Sequence, residues 1–164
     1  MNRIDELILS MAQYESGNPH QIQHSLKVHG FARLIAAGEG LDERTRLTLE
    51  AAAVVHDVGI KIAREKYGRT DGPLQEKEGV APARALLTGV GFDAELIERV
   101  CYLVAHHHTL EAVDGIDYRI LLESDLLVNL FEDGAGEDAV HSALERVFRT
   151  GTGIGLCETM FGIS

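Results

Sequence analysis

Four places in this chain carry metal-ligand side chains inside otherwise apolar stretches: His24, the adjacent pair His56-Asp57, the run His106-His107-His108, and Asp125. A carboxylate taken out of water must be paired, hydrogen-bonded or bound to a cation. Singly, each position has a plainer reading. An inward histidine commonly donates to a backbone carbonyl, and an aspartate in an apolar helix commonly pairs with an arginine. Several such positions in one small chain, all of ligand type, point instead to a shared centre. Imidazole nitrogen and carboxylate oxygen together suit a divalent ion of Mn, Fe, Co, Ni, Zn or Mg. A structural zinc knot is not expected, because neither Cys101 nor Cys157 lies in a C-x-x-C pattern.

Helices must position these groups. Residues 3 to 15 read as a helix with Ile4, Leu7, Ile8 and Met11 on one side. Asn18 as N-cap and Pro19 at the first helical position open a second helix, which Gly38 and Gly40 stop. On it His24, Val28, Phe31 and Ile35 recur at helical spacing, so His24 faces inward. Asp42 caps a third helix, and Leu49, Ala53, His56 and Ile60 share a face if that helix continues through the His-Asp pair. Lysines, arginines and glycines over 61–75 read as a loop or a frayed helix end. A helix over 76–87 follows, and Asp93 caps another that runs into the three histidines, where periodicity from Val104 favours His107 and His108. Residues 118–131 are apolar nearly all round and so central, yet they include Asp125. Residues 137–149 read as the last long helix, and 151–155 as a glycine-studded tail. No alternating strand pattern appears, and the expected class is all-α.

The order His, then His-Asp, then Asp, with the first histidine in Gln23-His24-Ser25-Leu26-Lys27-Val28, resembles the HD-domain metal-dependent phosphohydrolase superfamily over residues 20–131. The resemblance implies an HD-domain-like bundle of about five core helices with additional terminal helices. It also implies metal ligands at His24, His56, Asp57 and Asp125. Family members often hold a second metal through later histidines, and His106, His107 and His108 offer them, His107 first. A further second-metal position, a histidine in the family, falls in Leu74-Gln75-Glu76-Lys77-Glu78-Gly79, where Glu78 or Glu76 would substitute. The Gly-Tyr-Pro signature of cyclic-di-GMP phosphodiesterases is missing, since Thr109-Leu110-Glu111 follows the histidines. The implied reaction is hydrolysis of a nucleotide or other small phosphorylated metabolite by metal-activated water. Asp57 would orient that water or bridge two ions, and Lys27 and Lys61 would meet the remaining phosphate charge, although both also read as surface lysines. Two other readings use the same residues: a di-iron oxygenase, and a non-catalytic module that binds a ligand.

Bulk composition narrows the partners. The chain has 164 residues, enough for one self-sufficient domain over 1–164, and 45% of them are hydrophobic. A net charge of −11 disfavours a nucleic-acid polymer or an anionic membrane surface as partner, while a bound cation would still admit small phosphorylated substrates. A mean hydropathy of −0.01 fits a soluble protein. With two isolated cysteines, no signal-peptide pattern and no apolar run of roughly 18 residues, a cytoplasmic location is expected. A homo-oligomer is compatible with all of this.

Overall fold

The computed structural model describes residues 1–164. Helices run over Arg3–Tyr14 (α1), Pro19–Gly38 (α2), Glu43–Val55 (α3), Gly59–Tyr67 (α4), Gly72–Val90 (α5), Ala94–His106 (α6), Ile116–Glu132 (α7), Glu137–Arg146 (α8) and Gly151–Phe161 (α9), with a single 3-10 turn at Leu110–Ala112. There are no strands.

Local sequence accounts for the starts of these helices. Asn2 and Asp5 form a reciprocal capping box on α1. The side chains of Asn18, Asp42 and Asp93 accept from the backbone N–H three residues on, opening α2, α3 and α6. Packing then selects their faces. α2 lies on α3 and α7, α3 also packs on α6 and α7, and α5 is gripped between α4 and α6. One apolar cluster of 34 buried residues runs from Ile4 to Cys157. Side chains such as Leu49, Leu103 and Leu121 are fully buried in it, each contributing about 1.5–3 kcal/mol by leaving water. That rigid interior holds the inward polar groups of α2, α3, α6 and α7 in place. No helix is long and apolar enough to cross a membrane.

Two segments differ from the sequence reading. The stretch over 61–75 is not a loop: α4 occupies Gly59–Tyr67, and α5 begins at Gly72. Ile60 to Lys66 are mostly good helix formers, and Ala63 is fully buried. Only residues 68–71 connect α4 to α5, and Gly68 takes the left-handed conformation that ends α4. The glycine-rich end is likewise helical. Thr150 caps α9 through its hydroxyl and is held by Glu123 of α7, which accepts from the backbone N–H groups of Arg149 and Thr150. Buried Cys157 then docks α9 on the core.

Candidate metal centre

Helix α3 does not run through the His-Asp pair. It ends at Val55, and His56 and Asp57 lie in the turn before α4. The last carbonyls of a helix have no intrahelical partner. His56 supplies one, donating from Nδ1 to the carbonyl of Ala53 at 2.8 Å. The end of α6 is built in the same way, with His107 Nδ1 donating to Val104 O at 2.7 Å. His24, in the second turn of α2, turns Nδ1 to Glu132 Oε1 at 2.9 Å. Each of the three rings is thereby held by Nδ1, leaving Nε2 to face inward.

The three Nε2 atoms converge on two carboxylates. His24 Nε2 lies 3.1 Å from both Asp57 Oδ2 and Asp125 Oδ1. His56 Nε2 lies 3.3 Å from the same two oxygens. His107 Nε2 is 3.3 Å from Asp57 Oδ1. Gln21 fixes Asp57 from the other side, donating from Nε2 to Oδ2 at 3.2 Å. All five residues of this cluster are buried.

Burial works against charge on these groups, and their neighbours overrule it. Desolvation would lower the His24 pKa, but hydrogen bonds to Asp125 and Asp57 lift it to about 9. His56, wholly buried, is raised well above the usual imidazole range by the charges of Asp57 and Asp125. Burial would raise the carboxyls of Asp57 and Asp125, but the imidazoles around them, His56 foremost, hold both below the ordinary carboxylate range. Protons on His24 and His56 thus balance the two buried carboxylates, and a divalent ion would displace those protons and take the imidazole nitrogens and carboxylate oxygens as donors.

The donor set fits a metal ion. One ligand atom each from His24, His56, Asp57 and Asp125 lies within 4.8 Å of the others, and a second group within the same limit joins Asp57 to His107 and His108. His107 Nε2 is buried with no hydrogen-bond partner of good geometry, as expected of an atom that serves a metal. Asp57 alone belongs to both groups.

The other candidate positions fall outside the first group. His106 donates from Nδ1 to Tyr102 O at 2.7 Å, and its ring stacks on that tyrosine, away from both groups. His108 is exposed, and its Nε2 meets Gln75 Oε1 at 2.7 Å. Glu78 is not in either group; its carboxylate is taken by Lys66 at 3.0 Å and by the Tyr67 hydroxyl at 2.9 Å. Glu76 accepts from the backbone N–H of His108. On the first turns of α5, Gln75 rather than Glu78 therefore faces the histidines. Lys27 Nζ is 3.0 Å from Glu132 Oε1, while Lys61 Nζ donates to the carbonyl of Tyr14 at 2.8 Å.

Glu132, Gln21 and Gln75 escaped the sequence reading. Glu132 follows Asp125 by two helical turns, and Gln21 precedes His24 by nearly one, so helical spacing from the ligand-type residues would have found both. Glu132 also meets His20 Nε2 at 3.0 Å, and so links the exterior to His24. Outer partners of this kind orient ligand imidazoles. Glu132→Ala is expected to weaken divalent-ion binding about 10–100-fold with the fold retained. Competition against a chromogenic chelator reads the affinity, and an unchanged value would remove Glu132 from this role.

A family model described as HD domain matches residues 22–133. The chain belongs to the HD-domain family. The matched span contains every residue of both ligand groups, and Gln21, which donates to Asp57, directly precedes it. No curated protein matches the chain. Among solved structures, the HD-domain chain is similar to a predicted HD superfamily hydrolase from an uncultured Thermotogales bacterium. The identity is 23%, the TM-score is 0.68, and the match covers 96% of this chain and 84% of that one. The all-helical HD fold thus extends beyond the matched family segment to both ends of the chain.

Proposed function

We propose that this protein is a metal-dependent phosphohydrolase acting on a nucleotide or another small phosphorylated metabolite. The observation that carries the reading is the convergence of three Nδ1-anchored imidazoles on Asp57 and Asp125. A divalent ion held there by His24, His56, Asp57 and Asp125 supplies Lewis acidity toward water and toward phosphoryl oxygens. His107 and His108, which join Asp57 in the second group, would hold a second ion.

The protein groups then have separate duties. Asp57 directs Oδ2 to the first cluster and Oδ1 to His107, and Gln21 keeps its plane fixed. Lys27 is 40% exposed along its side chain and retains N–H groups beyond its bond to Glu132, so it is available to a phosphoryl oxygen. Lys61, one turn after Asp57, is the second such cation. An acidic chain with a single concentrated cation site suits a small anion better than a polyanionic polymer. The two buried free thiols, Cys101 and Cys157, fit a reducing compartment and hence the cytoplasm.

The purified protein is expected to carry about one or two divalent ions per chain and, with Mn, Co or Ni added, to release phosphate from members of a phosphomonoester and nucleotide panel. A protein that takes up no divalent ion overturns the proposal. So does oxygen consumption by an iron-loaded form that releases no phosphate, a result that would assign oxygenase chemistry.

A further inference from the structure

The second ligand group hangs on a four-residue turn. His107 and His108 are the central residues of a β-turn that the Thr109 N–H closes by donating to His106 O at 2.8 Å. Helix α6 ends at His106, so no helical ladder holds the two rings in register. Their centroids lie 4.0 Å apart, and both join Asp57 in one group while the turn keeps this shape.

Two side chains from other helices grip the turn. Tyr118, wholly buried in the first turn of α7, brings its one O–H to the carbonyl oxygens of His106, at 2.6 Å, and Thr109. These carbonyls bracket the His107-His108 pair and converge on a single phenol oxygen. Glu76, near the start of α5, supplies the other grip. Its Oε1 accepts from the backbone N–H of His108 at 2.9 Å and from the Thr109 hydroxyl at 3.0 Å.

Tyr118 is itself held in place. Asp117 Oδ1 accepts from its backbone N–H at 2.8 Å, and Arg99 fixes that carboxylate through Nε at 2.8 Å and Nη2 at 2.7 Å. Neither Tyr118 nor Glu76 belongs to a ligand group. The first group is anchored separately, through Glu132, Gln21 and the carbonyl of Ala53. Loss of a grip on the turn therefore falls on the second group and spares the first.

We propose that Tyr118 and Glu76 are positioning residues for the second ion, holding His107 and His108 in one group with Asp57 without binding metal themselves. The proposal rests on the metal-binding part of the reading above and is independent of the substrate. Removing an outer partner that orients a ligand commonly costs about 10–100-fold in metal affinity.

The test is equilibrium dialysis of the purified full chain against chelator-buffered cobalt(II), with bound metal read by elemental analysis. The native chain is expected to take up one ion per ligand group, with separable dissociation constants. Tyr118→Phe keeps the buried ring and removes only the hydroxyl. It is expected to weaken the second ion about 10–100-fold while the first changes less than about twofold. Glu76→Ala is expected to act in the same direction, and Glu76→Gln, which keeps an acceptor oxygen, to restore most of the loss. Circular dichroism checks the fold of each variant. An unchanged second constant in folded Tyr118→Phe, or equal weakening of both constants, overturns the role of Tyr118. If Glu76→Gln is as damaging as Glu76→Ala, the carboxylate is a ligand and its positioning role is overturned. A native chain that saturates with one ion overturns the proposal outright and leaves a one-metal phosphohydrolase standing. Failure of the phosphohydrolase reading shows separately, as no phosphate release from a fully loaded chain.

Discussion

Asp57→Ala will leave the purified protein without stoichiometric divalent ion and will lower phosphate release about 10³-fold or more, equivalent to the ~4 kcal/mol or more of transition-state stabilisation that a metal centre supplies. No other side chain has its reach. Asp57 alone belongs to both ligand groups, meets Nε2 of His24, His56 and His107, and accepts from Gln21. Loss of its carboxylate leaves three imidazoles facing one aspartate, Asp125, and the first group falls to three ligands. Asp57→Asn separates charge from shape. The amide matches the carboxylate in size and still offers an oxygen to Gln21, so the fold should persist while the metal is lost. Elemental analysis and phosphate release, each with circular dichroism as a fold control, are the measurements. A folded Asp57→Ala protein with native metal content and native turnover would end the proposal.

The helices that carry the centre were legible because their signals are short-range. Asn18-Pro19, Asp42 and Asp93 mark starts by the capping bonds that they form. His24 lies on an apolar stripe, and Asp125 sits in a helix with almost no polar face, so tertiary burial of both followed from periodicity alone. Periodicity misled where helices stop. It carries the apolar face of α6 on to both His107 and His108, but the helix ends at His106, and the following turn sends His107 inward and His108 out against Gln75. It also joins His56 to Ile60 across a turn that breaks the helix between them. Glycine misled in the other direction. Gly151, Gly153 and Gly155 read as a glycine-studded tail, whereas α9 forms because Glu123, on a distant helix, holds its N-cap Thr150. Long-range bonds of that kind leave no local trace. Gln75 escaped for a different reason: a neutral amide does not stand out among the ligand types, and only its contact with His108 distinguishes it.

Gly59→Ala will destabilise the protein by about 3 kcal/mol and loosen the metal centre, although on propensity alone the change should help. Gly59 is fully helical at the start of α4, and alanine is favoured over glycine in a helix by about 1 kcal/mol. Space decides against it. A Cβ at this position would lie 2.6 Å from the backbone nitrogen of Gly79 and 2.8 Å from its Cα, and closer still to the carbonyl oxygen of Gln75. Those are backbone atoms of α5 with no rotamer to change, so α4 and α5 must separate, at the upper end of typical overpacking costs of about 1–3 kcal/mol or beyond. The displacement falls where it matters chemically. Gly59 follows Asp57 by two residues, and Gln75, on the strained side of α5, is the partner of His108. Gly30→Ala is the matched control, because a Cβ there meets nothing within 4 Å and the residue is exposed within α2. It should stabilise by about 0.5–1 kcal/mol through propensity and the unfolded chain. Denaturant unfolding of the two variants, with divalent-ion affinity measured in parallel, tests the argument: equal stability for both would mean that the α4–α5 contact yields freely, and that the backbone approach at Gly59 does not hold the His-Asp turn in place.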